Sequence, residues 1–143
     1  MGSDIRLLLL NIGVRVRAFM NTKMDAVEVG GSVKEAVKKM VDAEIESVLV
    51  TKGGDPIGII TERDILQRVV YAGANTDKRV EEIMSHPLIT VDPLATLGDA
   101  AQIMLQKKIR RLLVKEGEKI VGIITQRDLQ RAFMETFNTL LLT

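Results

Sequence analysis

A mixed α/β (α+β) chain built from two tandem β-α-β-β-α repeats is predicted by three observations. The phrase Gly58-Ile59-Ile60-Thr61-Glu62-Arg63-Asp64 returns 64 positions later as Gly122-Ile123-Ile124-Thr125-Gln126-Arg127-Asp128. The same offset holds without a gap through Val16/Val80, Met20/Met84, Val27/Val91, Ala36/Ala100, Met40/Met104, Ile45/Ile109, Val50/Val114 and Gly53/Gly117. Within each copy the apolar pattern passes from strand-like runs to helical spacing and back. A fixed period over most of a chain marks a duplicated supersecondary unit.

Each copy opens with a short amphipathic piece ending in Met, Val16 to Met20 and Val80 to Met84, and continues into a strand-like stretch, Ala26 to Val29 or Ile89 to Val91. A helix start follows. Ser32 with Glu35, and Thr96 with Asp99, have capping-box spacing, in which the hydroxyl accepts from a backbone N–H and the carboxylate reaches back. Apolar residues then recur at helical spacing, as Val33, Ala36, Val37, Met40, Val41 and as Leu97, Ala100, Ala101, Met104, Leu105, so one face of each helix is read as core. Val48 to Val50 and Leu112 to Val114 are buried strands. Each is joined through a Gly-bearing turn, Lys52 to Asp55 or Glu116 to Lys119, to a further strand, Ile57 to Ile60 or Val121 to Ile124, which makes a hairpin. The closing segments, Asp64 to Val70 and Asp128 to Phe137, have helix-forming composition.

These boundaries divide the chain into an N-terminal segment (1–15), a first repeat (16–71), a small polar linker (72–79), a second repeat (80–134) and a tail (135–143). The apolar faces of two such repeats are exposed singly and buried jointly, so a pseudo-twofold disc is expected. The leucine-bearing ends, Ile5 to Ile12 and Thr139 to Leu142, are expected to cover the core or a second copy.

Composition narrows function by exclusion. A formal net charge of +1 gives no general attraction to nucleic acid or anionic lipid. Aromatic residues are 3% of the chain, with no Trp, so stacking platforms for single strands are missing. With no Cys there is no disulfide, thiolate metal site or cysteine nucleophile, which fits a reducing cytoplasm. The run Leu7 to Leu10 is too short for a membrane span. His86, the sole histidine, makes neither a zinc site nor a catalytic triad. The methionines at matching positions are read as core. No nucleophile and base, metal constellation or phosphate-binding Walker loop suggests an enzyme.

The tandem β-α-β-β-α unit with a Gly-h-h-Thr-x-x-Asp ending in each copy (h apolar) resembles a pair of cystathionine β-synthase (CBS) domains over roughly residues 16 to 134. The resemblance implies a non-catalytic sensor that binds an adenosine nucleotide (AMP, ADP or ATP, or the related S-adenosylmethionine) in clefts between the repeats, and needs no other cofactor. Asp64 and Asp128 would then accept from ribose hydroxyls, and Thr61 and Thr125 would contact ribose or phosphate. Arg110 and Arg111 would meet phosphates. Backbone groups of Ala26 and Val27, and of Thr90 and Val91, would pair with the adenine edge.

The residues also carry structural readings of their own. Thr-x-x-Asp is itself a capping box. Gly58 and Gly122 admit either a ligand ring or a bulge and tight packing. Lys107-Lys108-Ile109-Arg110-Arg111 stands where the first copy has Ala43-Glu44-Ile45-Glu46-Ser47, so two binding sites would be unequal. A homodimer and an effector protein are the expected partners. The competing readings are a ligand-free interaction scaffold and, less favoured, nucleic-acid binding through residues 107–111.

Overall fold

The computed structural model describes residues 13–142, so the leucines before residue 13 lie outside the described residues. The elements run as α1 (Val16–Phe19), β1 (Ala26–Glu28), α2 (Val33–Ala43), β2 (Ser47–Lys52), β3 (Asp55–Thr61) and α3 (Glu62–Ile65), which continues as a π-helix over Leu66–Tyr71. A 3₁₀ turn at Val80–Glu82 opens the second copy. It is followed by β4 (Thr90–Val91), α4 (Leu97–Lys107), β5 (Arg111–Glu116), β6 (Lys119–Thr125) and α5 (Gln126–Leu142). Thr139 to Leu142, expected to be a separate tail segment, is the last turn of α5.

Two compact units result, and each holds one three-stranded sheet. In the first, β1 is parallel to β2 and β3 antiparallel to it, with Val27 opposite Val50 and Ser47 opposite Thr61. The second repeats the pattern, with Val91 opposite Val114 and Arg111 opposite Thr125. Gly53 and Gly117 turn the hairpins at φ of 59° and 61°, a left-handed conformation that glycine adopts at little cost. Both hairpins carry the same irregularity, between Val50 and Thr51 and between Val114 and Lys115.

The compact units do not coincide with the sequence repeats. The first spans Lys23–Ile89, and the second joins the stretch ending at Thr22 to the stretch beginning at Thr90. In the first unit the opening of the second copy closes the sheet: Ile59 and Ser85 exchange backbone bonds of 3.0 and 2.8 Å, and Val80 and Ile83 are buried in its core. In the second unit Asn21 and Ile123 do the same at 2.8 and 2.9 Å, with Val16 fully buried. The polar linker is likewise bound into the first unit. Its Thr76 and Lys78 carbonyls accept from Lys34 and Val33 at the start of α2.

Local chemistry explains the helices. Ser32 accepts from the Glu35 amide at 3.1 Å, and Thr96 with Asp99 closes the reciprocal box. Val33, Ala36 and Met40, and their counterparts Leu97, Ala100 and Met104, are buried. The expected core face is too wide, however, because Val41 is 68% and Leu105 80% exposed. At 100° per residue each lies a quarter-turn beyond the last buried methionine, outside the stripe that meets the sheet.

In the first unit Glu28 braces the β2–β3 turn, accepting from the Thr51 hydroxyl at 2.6 Å and from the Gly53 amide. The Thr51 hydroxyl first, then the Gly53 amide, hold its carboxyl below the ordinary glutamate value. A carboxyl depressed in the folded state contributes stability above its unfolded pKa and loses it as pH falls through the folded value. Acidification below about pH 4 is therefore expected to loosen this turn in the native chain. Amide NMR shifts of Gly53 followed against pH should show that titration, and E28Q should abolish it.

Candidate functional site

The topology gathers the predicted residues at one end of each sheet. β1 and β2 begin there and β3 ends there, so Ser47 and Thr61 stand opposite one another with Ala26 two residues further along β2, opposite Leu49; Arg111, Thr125 and Thr90, opposite Leu113, repeat this in the second unit. Val27 and Val91 lie one residue further into the sheets and are buried; only their backbone could serve a ligand.

Both Thr-x-x-Asp segments form capping boxes. In the first unit Asp64 Oδ2 accepts from the Thr61 amide at 2.9 Å and its hydroxyl at 3.1 Å, and Thr61 Oγ1 accepts from the Asp64 amide at 3.3 Å. Asp128 and Thr125 repeat this at 2.8, 3.0 and 3.3 Å. One carboxylate oxygen is thus committed to the helix start in each unit, and Oδ1 is the oxygen left to reach outward.

The units differ in what Oδ1 meets. Asp64 Oδ1 accepts from the Ser85 hydroxyl at 2.8 Å and lies 3.7 Å from Arg68, itself bound to the carbonyls of Ile83 and Met84. Its side chain is 8% exposed. Asp128 Oδ1 has Arg131 at 3.4 Å, and its side chain is 18% exposed. Arg131 also reaches the Phe19 carbonyl at 3.4 Å and lies over the Phe19 ring, 5.3 Å from its centroid.

The strand edges differ in the same direction. The Ala26 carbonyl accepts from Lys39 Nζ at 2.7 Å, and its amide donates to the Asp25 side chain at 2.8 Å. The corresponding residues of the second unit are Ile103 and Ile89, which have no polar side-chain atoms to offer Thr90. Arg111 is the third difference. It stands opposite Thr125 across the β5–β6 ladder, where cross-strand partners share a face, and its Nη1 is buried with no acceptor among the described residues. Its counterpart is Ser47. Arg110 is exposed, and its carbonyl accepts from the Gln126 amide at 2.9 Å.

The two glycines have a packing role. A Cβ on Gly58 would collide with Met84 Sδ, and one on Gly122 would lie 2.8 Å from Met20 Sδ and 3.1 Å from the Asn21 carbonyl. The bridging segments at Met84-Ser85 and Met20-Asn21 can therefore approach β3 and β6 only because these positions lack a side chain. Ser85, Arg68, Lys39 and Arg131 contact the candidate site residues Asp64, Ala26 and Asp128, and the sequence reading missed them. Arg68, four residues after Asp64, was visible as a helical ion-pair spacing; Ser85 and Lys39 reach their partners only through the tertiary fold.

Among the described residues no group of three His, Asp or Glu could hold a metal, and no helix is long and apolar enough to cross a membrane. Duplicated sheets ending in capped Thr-x-x-Asp turns define a repeat module. The CBS domain family matches residues 16–71 and again 80–135. The chain belongs to the CBS-domain family, as a tandem pair. Its relatives include an uncharacterised protein of Methanopyrus kandleri, 42% identical over 66% of this chain and 50% of that protein. The CBS domain-containing protein YhcV of Bacillus subtilis is 32% identical over 80% of this chain and 81% of that protein. The chain thus spans half of the first relative and most of the second. A solved structure of an uncharacterised conserved protein from Pyrococcus horikoshii superimposes with a TM-score of 0.81 at 33% identity, covering 85% of this chain and 93% of that one. CBS pairs are regulatory modules that in general bind adenosine-containing ligands.

Proposed function

We propose that this chain is a non-catalytic sensor of an adenosine nucleotide, and that its second unit is the binding half. The observation that carries this reading is the buried Arg111 Nη1, which has no acceptor among the described residues and belongs to the cross-strand partner of Thr125. A buried guanidinium nitrogen without an acceptor is costly unless an anion completes it, and the planar donors of the group suit phosphate oxygens. Asp128 Oδ1 accepts from the ribose hydroxyls, and the backbone of Thr90 and Val91 faces the base. The first unit, with Asp64 Oδ1 held by Ser85 and Ala26 held by Lys39, is the weaker or silent half.

Ligation then favours one arrangement of the module, which a second copy of the chain or an effector protein reads. The setting is the cytoplasm.

Isothermal titration with AMP, ADP, ATP and S-adenosylmethionine tests the reading. One dominant site per chain is expected, with binding lost in D128A and kept in D99A, whose carboxylate caps α4 outside the site. A D128A chain that melts near the wild-type temperature yet binds unchanged would sink this assignment. Absence of both heat and a melting shift with all four ligands would leave a ligand-free scaffold.

A further inference from the structure

The 64-residue offset breaks inside the closing helices. It pairs Val69 with Phe133, yet Val69 is buried and Phe133 only half-buried, and the fully buried position is Ala132, one residue earlier. The extra residue of the first copy is taken up by the π-helix Leu66–Tyr71, whose i→i+5 bonds enclose one more residue per turn than an α-helix. Arg68 therefore corresponds in space to Arg131, although the offset pairs it with Ala132 and pairs Arg131 with Gln67.

Their contacts agree. Arg68 Nη1 donates to the Ile83 and Met84 carbonyls at 3.0 and 2.8 Å and lies 3.7 Å from Asp64 Oδ1. Arg131 Nη2 donates to the Phe19 carbonyl and to Asp128 Oδ1, both at 3.4 Å. Phe19 and Ile83 are themselves offset counterparts, each at the end of the short helical turn that opens its copy. Carbonyls at such an end lack partners within the turn and attract a cation. An ion pair fixed by helical spacing alone would have no reason to reach the same carbonyl from two different registers. In the second unit the guanidinium also lies over the Phe19 ring, 5.3 Å from its centroid, a cation–π contact that Ile83 cannot offer Arg68.

We propose that Arg131 is a positioning residue that couples the outward oxygen of Asp128 to residues 19–21. Ribose hydroxyls donating to Oδ1 share its lone pairs with Arg131, and the change in that hold passes to Phe19. The segment is tied to the site from its other side as well, since Asn21 and Ile123 exchange backbone bonds. Just beyond it, at Thr22, the chain leaves the second unit for the first. The coupling rests on the reading of Asp128 as a ribose anchor only for the ligand that drives it.

NMR of the full chain tests this in two arms. The first needs no nucleotide. In D128N the side-chain oxygen still accepts from the Thr125 amide and hydroxyl, and the amide nitrogen turns toward Arg131, so the cap is kept while the acceptor for Arg131 is lost. The Phe19 carbonyl carbon and the Met20 amide nitrogen, which share one peptide group, should shift in D128N. Introduced into R131M, the same Asp128→Asn change should leave them unmoved. The second arm titrates AMP, ADP, ATP and S-adenosylmethionine in turn. A nucleotide that binds should move both nuclei in the wild type and neither in R131M, where affinity should also fall by about two- to tenfold, the worth of one hydrogen bond. Phe19 and Met20 signals that ignore D128N, that respond to it equally in R131M, or that stay fixed when a nucleotide binds would each overturn the proposal. If no nucleotide binds, the sensor reading fails and the first arm still decides the coupling. Arg131 is 54% exposed, so R131M is expected to fold; should it not, R131Q replaces it, since its shorter side chain cannot span both acceptors.

Discussion

Asp64→Ala is expected to lower stability by about 3 kcal/mol, well beyond the loss of an ordinary helix cap. The carboxylate accepts from the Thr61 amide and hydroxyl and from the Ser85 hydroxyl, and it lies beside Arg68 while almost fully buried. Removing it leaves several donors without an acceptor, and each buried orphan costs more than the bond contributed. Asp128→Ala loses the same cap in a more open place, so about 1 to 1.5 kcal/mol is expected there. Urea or thermal denaturation of the two variants side by side measures the difference. Equal losses would mean that the two carboxylates are equally held, and the contrast between Asp64 and Asp128 would no longer favour the second unit as the binding half. Asp64→Asn should fall between, because it keeps one acceptor oxygen.

Arg111→Met is expected to do the opposite, removing function and sparing the fold. Met covers much of the same apolar stem without a charge, and taking away a guanidinium nitrogen that has no acceptor among the described residues is neutral or stabilising. Stability should stay within about 0.5 kcal/mol of wild type or rise. Nucleotide affinity should fall by roughly 10- to 100-fold, the effect of losing charge-assisted bonds of about 1.5 to 3 kcal/mol. Calorimetry with whichever nucleotide binds best, paired with a melting curve, reads both. A variant that loses several kcal/mol of stability would show that Arg111 is structural, and one that binds unchanged would remove it from the site.

What was legible in the sequence is what short-range chemistry decides. The hairpins follow from Gly53 and Gly117, and the helix starts follow from hydroxyls placed three residues before a carboxylate. Both are set within a few positions along the chain. The width of a core stripe is not: Val41 and Leu105 continue the apolar period, but only the sheet's position decides that Met40 and Met104 are the last residues it covers. The site was half legible for the same reason. Thr61, Asp64, Thr125 and Asp128 stand out through spacing. The bonds from Ser85 and Lys39 that distinguish the first unit come from residues 21 and 13 positions away. The only trace available was the offset comparison, in which Lys39 and Asp25 face two isoleucines. The packing of Met84 on Gly58 was hidden likewise, because a strand glycine has several structural meanings until its neighbour is seen.

The mismatch between sequence repeats and compact units makes the chain a nested one. The first unit is contiguous, so all of its segments have been synthesised once residue 89 is made. The second cannot close until α5 is in place, since Arg131 reaches back to Phe19 across 112 residues. Contacts of that sequence separation carry a loop-closure cost and slow folding. A break in the 72–79 segment would therefore release neither repeat as a whole module: each half would lose the bridging segment that packs against its glycine. The gene duplicates a sequence of one length, while the protein matures in pieces of another, with the early unit enclosed by the late one in order of assembly.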